Sequence, residues 1–447
     1  MHGVLKEEVY IAQPQGYVDS AFPKHVCLLH KALYGLKQAP RAWFERFTSQ
    51  LLHIGFCAST ADGNLFILKH GSSIVFLLLY VDDIIITDNK SSFVSSIIKL
   101  LGVDFDLKHF GLLHYFLGLQ IDYTSSGLFV HQTKYASDLL TKFGMTDCKP
   151  CKTLSSPNSH LLPNDSLLLS DPTSYRSLVG ALQYLTFTRP DLSFAVQQAC
   201  QHMSSPTQNH LQAAKRILRY LQGILHFGIA FTSSLISLSA YSDSDWAGDP
   251  VDRRSLTGMV LFFGNSPISW SAKKQGTVSR SSTEVEYRAL ASTTAELYWI
   301  RMLLRDFGLF LPHPPLLWCD NVSALAIATN PVFHTRTKHI EVDYYFVREK
   351  VLRRDVMLKF ISTHDQLADL FTKSLPSPRF NWLTSKLMWK FPIRLRGAES
   401  HGSTGGPAHS SHEEEEEAPM ATSVKTVSCV RLGKHKGKLK QNTIISH

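Results

Sequence analysis

The sequence predicts an α+β region, then a mixed α/β domain, and finally a disordered C-terminal tail. In residues 1–150, short apolar runs typical of strands alternate with amphipathic helical patterns. In residues 236–390, three strand patterns in succession are followed by alternating helix and strand, which favours a mixed sheet covered by helices. Residues 396–447 contain a Gly/Ser/His-rich stretch, a run of five glutamates and a basic segment. None of these compositions can bury a core.

Length and charge narrow the class of protein. A chain of 447 residues is too long for a single core, so two or three domains are expected. The formal net charge of +9 favours a polyanionic partner, nucleic acid before membrane. The seven cysteines are scattered, and the N-terminus lacks the apolar stretch of a signal peptide. We therefore expect an intracellular protein of the cytoplasm or nucleus, not secreted and without a membrane partner.

The first region contains a helix and a tight hairpin. Residues Arg41–Phe56 have the period of an amphipathic helix. The runs "FLLLY" and "IIIT" predict two buried strands joined at Val81, Asp82 and Asp83. Two adjacent carboxylates between such apolar runs are costly to bury unless a partner or a metal compensates them.

Residues 151–235 predict a linker and a helical connection. The polar stretch 154–174 has the composition of a linker. The helical pattern after it breaks at Arg189, Pro190 and Asp191, and a second, basic amphipathic helix ends at Gly223.

Acidic residues occupy unusual places in residues 236–390. Asp243 ends the first predicted strand, and Asp320 ends a later strand, "LLWCD". Strand ends in α/β sheets commonly hold ligands and metals. Asp245 is a close alternative to Asp243, but Asp243 follows the strand directly whereas Asp245 opens the loop.

Two further acids lie in predicted helices. In the helix 282–306, Glu284 has a structural explanation, because it fits a capping box with Ser281 and a surface pair with Arg288. Glu286 instead shares the core-facing stripe of this helix and needs a compensating cation. Asp369 lies near the start of a helix that Thr363 and Gln366 are expected to cap. Each acid alone is explained structurally, whereas four that converge would form a cage for two hard cations.

Nine motifs that follow one another in a fixed order along the chain resemble those of a known family. They are "LYGLKQAPRAWF", "LLLYVDDIIIT", "FGLLHYFLGLQI", "LVGALQYLTFTRPDL", "YSDSDWAGD", "ISWSAKKQ", "SRSSTEVEYRAL", "LWCDNVSALAIATNPVFHTRTKHIEVDY" and "LADLFTKSL". Together they resemble the reverse transcriptase and ribonuclease H portion of a copia-type retrotransposon polyprotein, over about residues 3–390. The tail after residue 395 does not match.

For residues 1–150 the resemblance implies a partial reverse-transcriptase palm and thumb. It implies that Asp82 and Asp83 bind Mg²⁺ for RNA-directed DNA polymerisation, a nucleotidyltransferase reaction on a primer-template. Tyr34, Gly35 and Lys37 would contact the dNTP. The segment "FGLLHYFLG" would be the primer-gripping hairpin, although an ordinary core hairpin explains it equally well.

For residues 236–390 the resemblance implies a ribonuclease H-like endonuclease. Asp243, Glu286, Asp320 and Asp369 would hold two Mg²⁺ ions, with Mn²⁺ as an alternative, and cleave the RNA strand of an RNA–DNA hybrid.

Basic residues after the strand "LLWCD" suit a path for a nucleic-acid backbone. Arg336, Lys338 and Arg348 are interleaved with aromatic residues. A solvated helix face explains these residues equally well.

The chain departs from the family at its start. It begins with "MHGVLKEEVYIAQPQGY", inside a family segment that follows the first polymerase carboxylate. We therefore expect the polymerase to be inactive as the chain stands, and the ribonuclease acids to be complete. The alternative is a non-catalytic nucleic-acid-binding remnant of a retrotransposon; a third, weaker one is a transposase or integrase of the same fold family. The sequence does not indicate an oligomeric state.

Overall fold

The computed structural model describes residues 4–33, 35–71, 73–81, 83–88, 91–154, 161–329, 341–390 and 426–432. The sequence-predicted site residues that lie outside these ranges are Tyr34, Asp82, Arg336 and Lys338. The described residues fall into two compact units, 4–113 with 426–432, and 114–390. Within these ranges no helix has the length and apolarity needed to cross a membrane.

The helices and strands are named in chain order. The strands are β1 (Val4–Ala12), β2 (Val26–Lys31), β3 (Cys57–Ala58), β4 (Leu65–His70), β5 (Ser73–Tyr80), β6 (Asp83–Asp88), β7 (Leu107–Leu112), β8 (Tyr115–Phe116), β9 (Leu119–Thr124), β10 (Gly127–His131), β11 (Phe227–Thr232), β12 (Leu238–Ser244), β13 (Leu256–Phe263), β14 (Ser266–Lys274), β15 (Leu316–Cys319), β16 (Met357–Phe360), β17 (Trp389–Lys390) and β18 (Thr426–Leu432). The helices are α1 (Ala39–Ile54), α2 (Ser91–Leu101), α3 (Thr133–Lys142), α4 (Pro172–Leu185), α5 (Ser193–Cys200), α6 (Gln208–Gly223), α7 (Ser282–Asp306), α8 (Val322–Thr329), α9 (Glu341–Leu352) and α10 (Ser377–Leu387).

The first unit is built on a sheet of order β3-β4-β5-β6-β18-β7, beside the pair β1-β2. The predicted helix at 41–56 is α1, which ends where Gly55 adopts a left-handed conformation, φ 105°. Trp43, Phe47 and Leu51 recur along one face of α1 and are buried with the inward side chains of β5 and β6. The apolar residues at the helical spacing of α1 and the alternate apolar residues of β5 and β6 therefore form one core, as the sequence predicts.

Residues 426–432 of the tail form a strand, which corrects the prediction of disorder for this part of residues 396–447; the other residues of the tail lie outside the described ranges. Strand β18 pairs antiparallel with both β6 and β7. Ser428, Cys429 and Val430 are buried in this sheet. The composition of the whole tail hid a seven-residue segment, "TVSCVRL", that is rich in β-branched residues suited to a pleated, half-buried surface.

The segment "FGLLHYFLG" also differs from its prediction. Its first part lies in β7, which pairs with β18 in the first unit. Its second part contains β8, which pairs with β9 in the second unit. Within the described residues the segment is therefore divided between two sheets, and only its second part forms a hairpin, in which Tyr115 pairs with Gln120 and Phe116 with Leu119.

The helical connection in the second unit breaks where the sequence predicts. Helix α4 ends at Leu185, and a short 3₁₀ turn over Pro190–Leu192 precedes α5. Arg189 and Asp191 form a buried ion pair, Nη2 to Oδ2 2.8 Å, and Tyr220 of α6 donates a hydrogen bond to the same carboxylate at 2.8 Å. This polar cluster joins the break to α6.

The second unit also contains the predicted mixed α/β sheet, of order β14-β13-β12-β15-β16. Strands β12, β13 and β14 are antiparallel neighbours, while β15 runs parallel to β12 and β16 parallel to β15. The carboxyl ends of β12 and β15 therefore lie at the same edge of the sheet. Helix α7 packs on this sheet through its apolar stripe and brings Glu286 to that edge.

Candidate active site

Two of the predicted acids are bridged by one lysine. Asp243 on β12 is 1% exposed, and its carboxylate accepts hydrogen bonds from the Thr372 hydroxyl and from Lys373 Nζ, the latter at 3.2 Å. Asp369, in a 3₁₀ turn over Leu367–Phe371, accepts from the same Lys373 Nζ at 2.5 Å and from Arg379. The structure therefore places Asp243 and Asp369 on opposite sides of one ammonium group.

The other two predicted acids lie together with a buried thiol. Ligand atoms of Glu286, Cys319 and Asp320 are all within 4.8 Å of one another. Glu286 Oε1 accepts a hydrogen bond from the Ser244 N–H at 3.4 Å, which ties α7 to the end of β12. Glu286 Oε2 is buried and has no hydrogen-bond partner among the described residues. An unsatisfied buried carboxylate oxygen is costly, and a cation would remove that cost.

The electrostatics of the cluster show how strongly it needs positive charge. Burial, together with the nearby carboxylates of Asp243 and Asp320, raises the pKa of Glu286 to about 9. Burial also raises the pKa of Asp243 to about 6, against the opposing effect of Lys373. Burial and like charges both disfavour the ionised form. Ionised carboxylate oxygens are hard ligands of the kind that Mg²⁺ or Mn²⁺ prefers.

The geometry separates Asp243 from its neighbour Asp245. The Asp245 carboxylate accepts a hydrogen bond from the Leu256 N–H at 2.5 Å and so fastens its own loop to the start of β13. Burial raises the pKa of Asp245 to about 6 as well. Only the carboxylate of Asp243, of these two, is hydrogen-bonded to the lysine that also binds Asp369. Asp243 is therefore the one that joins the acid cluster.

The surroundings of Asp369 correct one prediction. No capping box of Thr363 with Gln366 and no regular helix forms in the described residues here; instead there are two short 3₁₀ turns. The Thr363 hydroxyl donates to Asp320 Oδ2 at 3.0 Å. The Gln366 amide donates to the Ser242 carbonyl at 3.0 Å. Both side chains tie this loop to the sheet edge, and Gln366 also caps the second 3₁₀ turn by accepting from the Ala368 N–H at 3.2 Å.

Glu284 makes local contacts as predicted, but its carboxylate accepts from the Arg280 N–H at 2.8 Å, so only half of the predicted capping box with Ser281 forms, and the side chain is buried. Its N–H donates to the Ser281 hydroxyl at 3.2 Å, and its carboxylate pairs with Arg288 at 2.9 Å. Glu284 therefore stabilises the first turn of α7 and does not join the acid cluster.

Sequence reasoning missed the cations and the thiol of the site. Lys373 stands four residues after Asp369, a spacing that could have indicated the pair. Arg379 lies on α10 and reaches Asp369 only through the tertiary fold. Cys319 precedes Asp320 in "WCDN", and no spacing of this one cysteine distinguishes it from a core residue.

The hairpin of the first unit has the predicted form. Tyr80 at the end of β5 pairs with Asp83 at the start of β6. Val81 has φ 53°, a left-handed conformation that is unfavourable for a β-branched residue. Its carbonyl accepts a hydrogen bond from Trp43 Nε1 at 2.9 Å, which holds the turn against α1. Strain of this kind at a turn beside Asp83 is typical of a functional site.

The predicted nucleotide-contact residues precede α1. Gly35 has φ 100°, which only glycine adopts readily, and Lys37 is exposed. A cavity of about 390 Å³ lies beside the hairpin, lined by residues of α1 and β5 that include Trp43 and Tyr80.

The described part of the predicted basic path is on α9. The Arg348 guanidinium lies 5.9 Å from the Tyr344 ring and donates to its hydroxyl at 3.4 Å. Lys350 is buried, with its ammonium 3.9 Å from the Tyr298 ring centre. Lys350 therefore serves the core, whereas Arg348 is partly exposed.

Known proteins match most of this chain in sequence. Residues 1–157 match the family model described as reverse transcriptase (RNA-dependent DNA polymerase). The chain is 47% identical over 388 residues to the retrovirus-related Pol polyprotein from transposon RE1 of Arabidopsis thaliana, covering 87% of this chain and 26% of that protein. It is 35% identical over 396 residues to the corresponding polyprotein from transposon TNT 1-94 of Nicotiana tabacum, covering 85% and 29%.

Solved structures show weaker similarity. A foamy viral protease-reverse transcriptase in complex with dsDNA has a TM-score of 0.39 at 13% identity, covering 75% of this chain and 61% of that one. An RNase H1 isolated from compost has a TM-score of 0.25 at 15% identity, covering 31% of this chain and 94% of that one.

The chain combines a reverse transcriptase region with a second unit that contains a mixed five-stranded sheet. It belongs to the copia-type retrotransposon polyproteins that contain a reverse transcriptase. It spans about a quarter of the length of the first curated relatives, 26% and 27%.

Proposed function

We propose that residues 236–390 cleave the RNA strand of an RNA–DNA hybrid with the help of Mg²⁺. The observation that carries the proposal is the meeting of Asp243, Glu286, Asp320 and Asp369 at one sheet edge, with a buried Glu286 oxygen that lacks a partner among the described residues. These acids come from four separate elements, and core packing alone does not require carboxylates there.

The acidic side chains would have different roles because they are buried to different extents. When bound, two Mg²⁺ ions, or Mn²⁺ in their place, would activate water and neutralise charge at the phosphate. Asp243 and Asp369 are almost fully buried and would hold the ions in a fixed position. Asp320 is only half-buried and lies nearer to the solvent from which a hybrid arrives. Lys373 and Arg379 compensate Asp369 before an ion binds.

A cleavage assay on the full chain tests this proposal. A labelled RNA–DNA hybrid in Mg²⁺ should release RNA fragments, and EDTA should abolish the release. Asp320→Asn should reduce the rate by about 100-fold or more, because it removes a ligand carboxylate. The matched control is Asp138→Asn, an exposed acid on α3 that should leave the rate unchanged.

Two outcomes would contradict the enzymatic proposal. Equal release by the native chain and by Asp320→Asn would show that these acids do not carry the cleavage. Hybrid binding without any cleavage in Mg²⁺ or Mn²⁺ would favour the alternative, a non-catalytic nucleic-acid-binding remnant.

We also propose that the first unit is built for RNA-directed DNA synthesis, while the expectation that this polymerase is inactive as the chain stands remains a prediction. The match of residues 1–157 to the reverse transcriptase model and the strained hairpin support this role. Asp82 and Asp83 would serve the metal ions, and Tyr34, Gly35 and Lys37 the dNTP. In primer extension with a primer-template, Asp83→Asn should abolish any incorporation that the native chain shows.

Nucleic acid is the proposed partner of both units. The net charge of +9 supports it, and Arg336, Lys338 and Arg348 would contact the phosphate backbone. Hybrid affinity that falls steeply with rising salt is the expected signature of such contacts.

A further inference from the structure

Strand β18 comes from the far end of the chain and lies inside the sheet of the first unit. Its register with β6 runs from Thr426 opposite Asp88 to Arg431 opposite Asp83. On its other side Ser428 lies opposite Leu112, and Leu432 opposite Leu107. Both edges of β18 are therefore paired, and the strand separates β6 from β7 in the sheet.

The burial of β18 is that of an interior strand. Val430 is 0% exposed and belongs to the same core as Ile84 of β6 and Trp43 of α1. Ser428 and Cys429 are also buried. The pairing continues beyond the end of β7, because the Leu113 N–H donates to the Val427 carbonyl of β18 at 3.0 Å.

The position next to β6 matters because β6 begins at Asp83 of the hairpin. An unpaired edge of β6 would present free N–H and C=O groups, which recruit other strands. Extended peptides bind such edges through main-chain hydrogen bonds, and their alternate side chains give specificity. The last family motif ends at Leu375, so the segment that covers this edge lies beyond the motifs that define the family.

We propose that the sheet of the first unit contains a strand-binding site between β6 and β7, and that residues 426–432 of the same chain occupy it. The site takes an extended, antiparallel segment with small or β-branched side chains at its three buried positions. A charge at position 430 is excluded, because that side chain enters the apolar core. A charge at Val427 is tolerated, because this side chain is partly exposed.

The experiment uses the full chain with a protease site inserted between Gly405 and Gly406. After cleavage, the C-terminal fragment should co-elute with the remainder of the chain in size-exclusion chromatography. Val430→Lys should release the fragment, and the matched variant Val427→Lys should retain it. Release of the native fragment, or retention of the Val430→Lys fragment, would overturn the proposal.

Peptide displacement and hydrogen exchange give a second measurement, which begins with the native protein. In the cleaved native protein, an excess of a synthetic peptide of residues 424–434 should displace an isotopically labelled fragment. Residues 83–88 should stay protected while the peptide is bound. In cleaved Val430→Lys, exchange of residues 83–88 should be at least about tenfold faster, and the peptide should restore protection. Failure of the peptide to displace the fragment, together with unchanged exchange of β6 in the variant, would contradict a strand-binding site.

Discussion

Lys373 gives the candidate nuclease site a positive charge of its own. Its ammonium binds Asp243 and Asp369, and both carboxylates are almost fully buried. Removal of one partner from a buried ion pair leaves an uncompensated charge, which costs more than the pair itself contributes. Because the side chain of Lys373 is 37% exposed, part of its interaction is screened by solvent.

Lys373→Met should therefore destabilise the metal-free protein more than the metal-loaded protein. In EDTA the free energy of unfolding should fall by about 1–3 kcal/mol, because Asp243 loses its cation. In Mg²⁺ the loss should be smaller, since the ion would compensate the same carboxylates. Thermal unfolding of the native protein and of Lys373→Met, each in EDTA and in Mg²⁺, measures the difference between the two losses of stability.

The control for this prediction is Lys215→Met, on an exposed position of α6. It should change neither value by more than about 0.5 kcal/mol. An equal loss for Lys373→Met in EDTA and Mg²⁺ would mean that lysine and metal do not share the site.

At the level of elements, the turn after α5 packs against α6 through two histidines. The rings of His202 and His210 are stacked with centroids 3.8 Å apart. His210 Nδ1 accepts from the Thr207 N–H, so its proton is on Nε2, which faces the Leu162 carbonyl at 3.1 Å. Burial, together with the neighbouring His210, lowers the pKa of His202 to about 4.

This contact predicts a loss of stability in acid. The pKa of His202 is lower in the folded than in the unfolded state, so its contribution is present above about pH 6.5 and is lost as the pH falls towards 4. His202→Gln should remove this part of the pH dependence. Urea unfolding at pH 7 and pH 4.5 measures it, with exposed His226→Gln as the control. A native chain and a His202→Gln variant with parallel pH profiles would contradict the prediction.

Elements with a strong local signal were the ones that the sequence predicted well. Helix α7 begins and ends at the predicted residues, because its cap at Ser281 and its 3.6-residue stripe agree. The position of Glu286 on that stripe also distinguished it, as a candidate metal ligand, from Glu284. The turn around Asp369 was predicted wrongly, because Thr363 and Gln366 bind distant partners. Strand β18 was missed because the composition of the whole tail hid its short β-branched segment, and because its partners β6 and β7 are distant in the sequence.

At the scale of the whole molecule, each unit has its own apolar core. Phe47 of the first unit is fully buried between Trp43 and Phe105, with ring centroids 5.2 and 4.8 Å away. Leu290 is fully buried in the core beneath α7 in the second unit. Separate cores predict that damage to one unit leaves the other folded.

Phe47→Ala should lower the stability of the first unit by about 3–5 kcal/mol, because it removes a buried ring. Hydrogen exchange should become faster in β4, β5 and β6 and stay unchanged in β12 and β13. Leu290→Ala is the reciprocal control and should have the opposite pattern. If both variants loosen both units, the cores are not energetically independent.

The sheet order also has a consequence for folding while the chain is being synthesised. Strand β6 ends at residue 88, and its neighbour β18 begins at residue 426. At roughly 5–20 residues per second, a ribosome needs on the order of tens of seconds to make the chain between them. Throughout that interval the growing polypeptide holds β6 without β18. Chaperone capture of the nascent chain, and its misassembly with neighbouring chains on a polysome, should therefore concentrate in this interval.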